Sequence, residues 1–597
     1  MTSTDRIKFC KIHPAIGIAR VGNSPNEYFI GPEIPGVAAP PQGGYKDSGD
    51  LDELIPPRVK RQAARFRVFG YDDKGRVIKE LTSDDAEITW TVHLVNQKAA
   101  WRKFMGSAGE KVSPPGKSKP ASALRNKDIK EGRDVLIIDP GPSSLSGPNQ
   151  SAELVGGTFM GIPVPLGNIQ TDEKARLLVL GGFGRSGTKD PGKRIGNYAN
   201  NDRWYDDVSD GFVVAKVKFK EGQETIPTAP SWAIVAPPDF APPITNVVTL
   251  YDVIFDVAVR NKWIIVEEEP SFTNHIYPLL NRITALQWVN LEALTGHGSS
   301  MQGGLDFSDE ETLKVLSTRE PGDKYRLARE RVFNFIRDPN LVEKFRHRTA
   351  SKIELEEAQA QAQARFMPPL AGDDGDPIDK VPGTWFALTK TQYEMLRKWK
   401  DGTFRADWIQ KSVASLTIMQ TPGALAPGER AETLIAQPKA SDNITPEGLD
   451  RAALESCAGG AFFPGIEAGW TMRDPSIFVG KNDPFRLNDK NLKPGDITKR
   501  MACPWQADFY ECNTHWWPAQ RPDDVLTLEN YLQAKRLDSE IISKRHEIEV
   551  NGGSLPLVER LRLLNEIAGL SAQRDEVWRR RDSWDRGLNE ETLIEGI

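Results

Sequence analysis

The chain has 597 residues, of which 27% are charged and 39% hydrophobic, with a formal net charge of −6 and a pI near 5.9. This is the balance of a globular protein of roughly two to four domains, without the basic face that nucleic-acid binding requires. No apolar run reaches the roughly 18–20 residues of a membrane span, the polar start Met1–Lys8 is not a secretory signal, and four cysteines are too few for a disulfide scaffold.

The expected location is therefore the cytoplasm at synthesis, with export by a route lacking a cleaved signal left open. Residues 5–35 alternate short apolar pieces with turn residues and predict short strands. Clearer strands follow at Arg65–Gly70 and, with period-2 alternation, at Ala86–Val95. The stretch 107–132 is rich in Gly, Pro, Ser and Lys and predicts a loop. Strands are expected again at Val135–Ile138, Ala175–Leu180 and Gly211–Phe219. Gly181-Gly-Phe-Gly follows a strand but opens no helix, so it is read as a glycine turn rather than a nucleotide loop. Asp202, Asp206, Asp207 and Asp210 crowd one short segment; Trp204 and Tyr205 interrupt them, which favours a turn over a calcium loop. A pocket wall is the second reading of that segment.

Pro237-Pro-Asp-Phe-Ala-Pro-Pro243 is a stiff break. Helices are expected over Val247–Trp263, over much of 309–365, where Glu354–Arg365 is rich in strong helix formers, and over Thr389–Lys400. Residues 372–383 read as a loop. Residues 527–580 are helical again, and Asn551-Gly-Gly-Ser-Leu-Pro divides them into a helical hairpin. No internal repeat is evident. The fold expected is α+β: a β-rich, multi-lobed assembly with helical insertions and a helical C-terminal region. Its divisions are a β-rich region at 1–235, a largely helical one at 236–405, a mixed one at 406–526 and a helical extension at 527–597.

Three of the four cysteines, Cys457, Cys503 and Cys512, lie between 457 and 512. The spacing of Cys503, Cys512 and His515 fits no zinc class, and no metal site is expected. Asp508 precedes Cys512 by one helical turn, so on a helix the carboxylate and the thiol share a face. A carboxylate raises the pKa of a neighbouring thiol, which disfavours a simple cysteine nucleophile. It suits a proton acceptor for chemistry on a nearby ring. Trp505, Trp516 and Trp517 surround the pair. From composition alone, an aromatic core holding an inert thiol is the favoured reading.

Four segments resemble the lysine ε-oxidase/glycine oxidase family: Ile12–Ser24, Asn201–Gly211, Cys457–Glu467 and Met501–Val525. They occur in order from residue 12 to residue 525 and so span most of the chain. The resemblance implies an amino-acid oxidase that builds cysteine tryptophylquinone from its own side chains. Cys512 would be the crosslinking cysteine and Asp508 the base that assists cofactor formation. Cys457 would line the substrate passage, with Tyr205 and His515 in the pocket. The tryptophan would be Trp578, with Trp584 as the alternative. A partner flavoprotein would oxygenate that tryptophan during maturation. The implied reaction takes the primary amine of a lysine side chain or of glycine, and O2, to an aldehyde or oxo acid, ammonia and hydrogen peroxide. The resemblance does not identify the base that deprotonates the substrate; Asp508 and His515 are candidates by proximity in sequence only. Family chains normally run on beyond the point where this one stops. A non-catalytic relative acting as a binding or structural module is the alternative. A homo-oligomer is compatible with a chain of this size.

Overall fold

The computed structural model describes residues 7–37, 45–49, 58–104, 123–220, 225–286 except 240 and 243, 307–341 except 308 and 321, 386–408, 444–459, 469–511, 528–551 and 555–579. The pairs 524–525, 582–583 and 594–595 and positions 351, 353 and 370 are also described. The architecture is α+β, dominated by a 13-stranded mixed sheet whose strands all lie between Phe9 and Ala236.

Its main strands are β1 (Phe9–His13), β2 (Ile16–Arg20), β3 (Arg61–Tyr71), β4 (Ala86–Val95), β5 (Leu177–Leu180), β6 (Trp204–Asp206), β7 (Ser209–Phe219) and β8 (Ser231–Ala236); β6 lies outside the large sheet, in a small ribbon with Ser186–Thr188. In β4 the odd and even positions alternate between burial and partial exposure, as its sequence pattern requires. β3 and β2 are buried on both faces and read as near-continuous cores instead. Strand pairing closes on itself. β1 pairs with β3 and with Ile226–Ala229, which joins β7, then β8, then β2, and β2 returns to β3. Closure leaves these six strands without a free edge to template aggregation. Gly17 is required by this packing: a Cβ there would lie 2.4 Å from the Phe66 ring.

A buried polar knot ties the sheet to the C-terminal half of the chain. His13 Nδ1 meets Asp450 Oδ1 at 2.9 Å, and the Tyr71 hydroxyl meets His13 Nε2 at 2.9 Å. Arg486 donates to the Ile12 carbonyl at 2.9 Å and to Asp483 at 2.8 Å. The Ile12-His-Pro segment thus gathers β1, β3, a helix and a late strand.

The helices are α1 (Leu250–Arg260), α2 (Tyr277–Ala285), α3 (Glu310–Ser317), α4 (Arg326–Phe333), α5 (Lys390–Lys400), α6 (Pro446–Glu455), α7 (Trp505–Glu511), α8 (Leu528–Asn551) and α9 (Leu557–Arg579). α1 and α5 begin in capping boxes, Thr249 with Asp252 and Thr389 with Gln392, in which each side chain satisfies the other's orphan backbone donor. α8 and α9 pack on each other through Ala534, Ile541, Leu563, Ile567 and Val577. Among the described residues, no helix is long and apolar enough to cross a membrane.

The strand expected at Val135–Ile138 is a 3₁₀ turn over Arg133–Leu136. The Arg133 guanidinium explains it: it donates to four carbonyls, of Ala100, Arg125, Asn126 and Ile129, and gathers the chain into a tight turn. Val135 is left about half exposed. The helix expected over Val247–Trp263 is shorter, because Thr249 caps it and Asn261 ends it. Glu354–Arg365 and 372–383 lie outside the described residues.

Candidate active site

α7 has seven residues and begins directly after Pro504, whose ring carries no acceptor that could cap it. The cap comes from far away in sequence: the Trp505 N–H donates to Asp206 Oδ2 at 2.7 Å. Asp206 is fully buried and serves several donors. Lys98 Nζ reaches its Oδ2 at 2.5 Å, and Asn96 Nδ2 reaches its Oδ1 at 2.8 Å. Both partners of the Lys98–Asp206 pair have no exposed side-chain surface. A buried charge is tolerated only when it is paired and hydrogen-bonded, and this one is both.

The chain leading into α7 is fixed by the same part of the sheet. Asp210, at the start of β7, accepts from Thr498 N at 2.8 Å, Thr498 Oγ1 at 2.6 Å, Ile497 N at 3.2 Å and Trp232 Nε1 at 2.9 Å. Burial pushes its carboxyl up to about 6, against the pull of those donors. Arg125, with no exposed surface, donates to the carbonyls of Lys98, Ala199 and Met501. Cys503 N donates to the Ala199 carbonyl, and Asn201 N to that of Cys503. Gln506, on α7, donates to the Gly184 carbonyl at 2.8 Å. The acidic segment around Tyr205 and the segment around Asp508 thus form one body.

The adjacent Asp207 differs from Asp206. Burial, helped by the neighbouring Asp206 charge and opposed by the Arg185 N–H, pushes its carboxyl up to about 7. One oxygen accepts from Arg185 N at 3.1 Å. The other, with Trp204 Nε1 and Ser209 Oγ, is buried without a hydrogen-bond partner among the described residues. Gly182 is shaped to this carboxyl, since a Cβ there would fall 2.3 Å from Asp207 Oδ2. The Gly181-Gly-Phe-Gly turn is a structural one that wraps an aspartate.

Asp508 lies in the first turn of α7 and is 1% exposed. A carboxylate in a first helical turn is favoured by the helix dipole. Cys512 follows the last residue of α7, and it, His515 and Trp584 lie outside the described residues. Trp578 is the penultimate residue of α9, and its side chain also lies outside them. Tyr205 is on β6 beside Asp206, and strand alternation puts it on the opposite face; its ring is 5.2 Å from that of Phe159. Cys457 is fully buried on another seam. Its carbonyl accepts from Leu250 N at 2.8 Å, at the start of α1, and Arg20 holds the Ser456 carbonyl at 2.7 Å. Cys503 is a buried thiol donating to the Trp204 carbonyl, pushed up to about 12 by burial first and the Asp206 charge second. It is no nucleophile.

The calcium-loop reading finds no support: Asp206 and Asp210 are buried and matched to protein donors, Asp207 is buried with one oxygen on Arg185 N, and Asp202 accepts from Asn126 N. Among the described residues no group of three or more His, Cys, Asp or Glu could hold a metal ion. Sequence reading missed Asn96, Lys98 and Arg125. The one signal available was a lysine three residues after β4, where exposed loop residues are the rule.

The chain matches two family models, L-lysine epsilon oxidase N-terminal at residues 13–235 and L-lysine epsilon oxidase C-terminal domain at residues 369–530. Together they span more than half of it. It is 29% identical over 575 residues to an L-lysine 6-oxidase of Marinomonas mediterranea, covering 84% of this chain and 70% of the relative. Crystal structures of the L-Lys epsilon-oxidase from Marinomonas mediterranea, one of them a Schiff base intermediate with L-Lys, superpose with a TM-score of 0.61 at 25% identity. The match covers 84% of this chain and 75% of those chains.

Proposed function

The chain belongs to the L-lysine ε-oxidase family, and from that premise we propose that it oxidises the primary amine of an amino acid, a lysine side chain or glycine, with a quinone made from its own cysteine and tryptophan. The products are an aldehyde or oxo acid, ammonia and hydrogen peroxide, with O2 as the oxidant. The observation that carries this reading is the union of the acidic segment with α7, which buries Asp508, four residues before Cys512 in sequence.

The residues present fit such a group. Buried polar atoms are nearly always satisfied, yet Asp207, Trp204 and Ser209 each keep an unmatched polar atom, among the described residues, in the segment that holds α7. A quinone supplies an electrophilic carbonyl and accepts two electrons. The protein supplies the rest. Asp508 is the base that accepts a proton while the cofactor is assembled. Asp508 and His515 are the two candidates for removing the substrate proton. Cys457 lines the passage by which substrate enters, and Tyr205 contributes to the pocket.

For the tryptophan, strand pairing supports Trp584 over Trp578. Asp524 lies opposite Ser583 and Val525 opposite Asp582, so the chain entering Trp584 runs beside the strand shortly after Cys512. A partner flavoprotein would oxygenate that tryptophan.

Intact mass and absorbance test the proposal. Protein made together with the maturation flavoprotein should carry a mass change of about +28 Da, a visible band and a Cys512–Trp584 crosslinked peptide. An unmodified mass under those conditions rejects the reading. Asp508→Ala should accumulate uncrosslinked or incompletely oxidised chain; normal cofactor yield would remove the role given to Asp508. Peroxide release across a panel of amino acids then identifies the substrate.

A further inference from the structure

We propose that the buried Lys98–Asp206 pair is a positioning device for cofactor assembly, setting the start of α7 and with it the placement of Asp508. The inference rests on the cofactor reading above and adds two residues to it, neither of which would touch substrate.

Four observations carry it. α7, at seven residues, is shorter than the roughly 12–15 an isolated helix needs, so outside contacts must hold it. Its first N–H donates to Asp206 Oδ2, the same oxygen that Lys98 reaches at 2.5 Å. Lys98 has no exposed surface, and Asp206 Oδ2 is the carboxylate oxygen it pairs with. Asn96 clamps the other oxygen and the backbone carbonyl of Asp206, at 2.8 and 2.9 Å, so the carboxylate cannot rotate away.

A plain buried ion pair contributes little net stability compared with apolar residues of the same volume. Its worth here is directional. Lys98 neutralises Asp206 and holds one lone pair, leaving a second aimed at the helix start. Removing the charge lets α7 shift or fray by a fraction of a turn. Covalent chemistry between two side chains is sensitive to displacements on the order of 1 Å, so assembly should fail before folding does.

The test compares Asp206→Asn with Asp323→Asn. The latter breaks another pair made by a fully buried arginine, Arg329, far from α7 in sequence. Each variant is made with the maturation flavoprotein. Three quantities are read: thermal midpoint, the fraction of crosslinked peptide, and hydrogen exchange of the 505–511 peptide in unmodified chain. Asp206→Asn should exchange that peptide about tenfold faster, as expected for loss of a charge-assisted hydrogen bond, and should lose most of its crosslinked fraction. Asp323→Asn should keep both near wild type at a comparable drop in midpoint. The proposal is overturned if the two variants lose crosslink in proportion to their midpoints, or if Asp206→Asn crosslinks normally. If Asp206→Asn does not yield folded protein, Asp206→Glu keeps the charge and moves it by one methylene; unchanged crosslinking and exchange in that variant overturns the proposal equally. A wild type that never crosslinks rejects the cofactor reading instead, while the exchange arm still decides whether Asp206 anchors α7.

Discussion

α7 and the α8–α9 hairpin are held in opposite ways. α7 has seven residues and is fixed from outside, by Asp206 at its first N–H, Gln506 on the Gly184 carbonyl and Arg125 on the approach. α8 and α9 have 24 and 23 residues and hold each other through a narrow apolar seam and ion pairs at the surface. Ile542, Val550, Leu557 and Val558 on the hairpin remain exposed. A long helix pair can form from its own contacts. A short helix that carries chemistry is made rigid by borrowing buried charges from a sheet that is already closed.

The sharpest way to break this contrast is to disturb the sheet under α7. Gly211 follows Asp210 and lies opposite Leu94 in the β4–β7 ladder. A Cβ at Gly211 would sit 1.8 Å from the His93 carbonyl oxygen, a backbone atom that cannot move alone. Gly211→Ala should therefore separate β4 from β7 beside the carboxylate that holds Thr498. The expected cost is large, about 4 kcal/mol or more, seen as lost soluble yield or a urea midpoint far below wild type. A variant of near-native midpoint would mean that the two strands are not as closely locked as the structure shows.

That glycine also illustrates what the sequence could and could not reveal. The hairpin was legible because strong helix formers and the Asn551–Pro556 break are local signals. The β-rich first third was legible from alternation in Ala86–Val95. Asp508, Cys512, Cys457 and Tyr205 could be singled out through family resemblance. The surroundings of Asp508 could not. Four aspartates in one short segment look like a solvated turn, because exposed like charges are the common case. Three of them, Asp206, Asp207 and Asp210, become core only when Lys98, Arg185 N–H and Thr498 arrive from elsewhere in the chain, and none of those contacts has a periodicity to read. Val135–Ile138 was misread for a related reason: an apolar run fits strand or turn equally, and Arg133 decides.

A smaller effect separates the two neighbouring aspartates. Asp207 has its carboxyl raised from 3.8 to about 7, chiefly by burial. Between those values the folded chain keeps a proton that the unfolded chain has released, so unfolding stability falls as pH rises through this window. The contribution is complete below about pH 4 and lost above about pH 7. Asp210, raised to about 6, acts in the same direction. Asp207→Asn, a neutral isostere, should be nearly as stable as wild type at pH 4.5 and more stable at pH 8, by on the order of 2–4 kcal/mol. Urea unfolding at the two pH values measures this. Equal gains at both would show that Asp207 is ionised throughout, leaving α7 beside two buried charges rather than one.

The smallest effect belongs to the hairpin and bounds the comparison from its other side. Lys544 Nζ lies 2.6 Å from Glu566 Oε2, with about a third of each side chain exposed. The pair lowers the Glu566 carboxyl pKa, but both groups face solvent and salt screens them. Exposed pairs contribute little to stability. Lys544→Gln should therefore move the midpoint by no more than about 1 °C and leave the crosslinked fraction at the wild-type level. A hairpin held by its own seam tolerates the loss of one rim contact. If this variant instead lowers cofactor yield, then α8 and α9 steer the tryptophan beyond them, and the hairpin is part of the assembly machinery rather than a self-contained unit beside it.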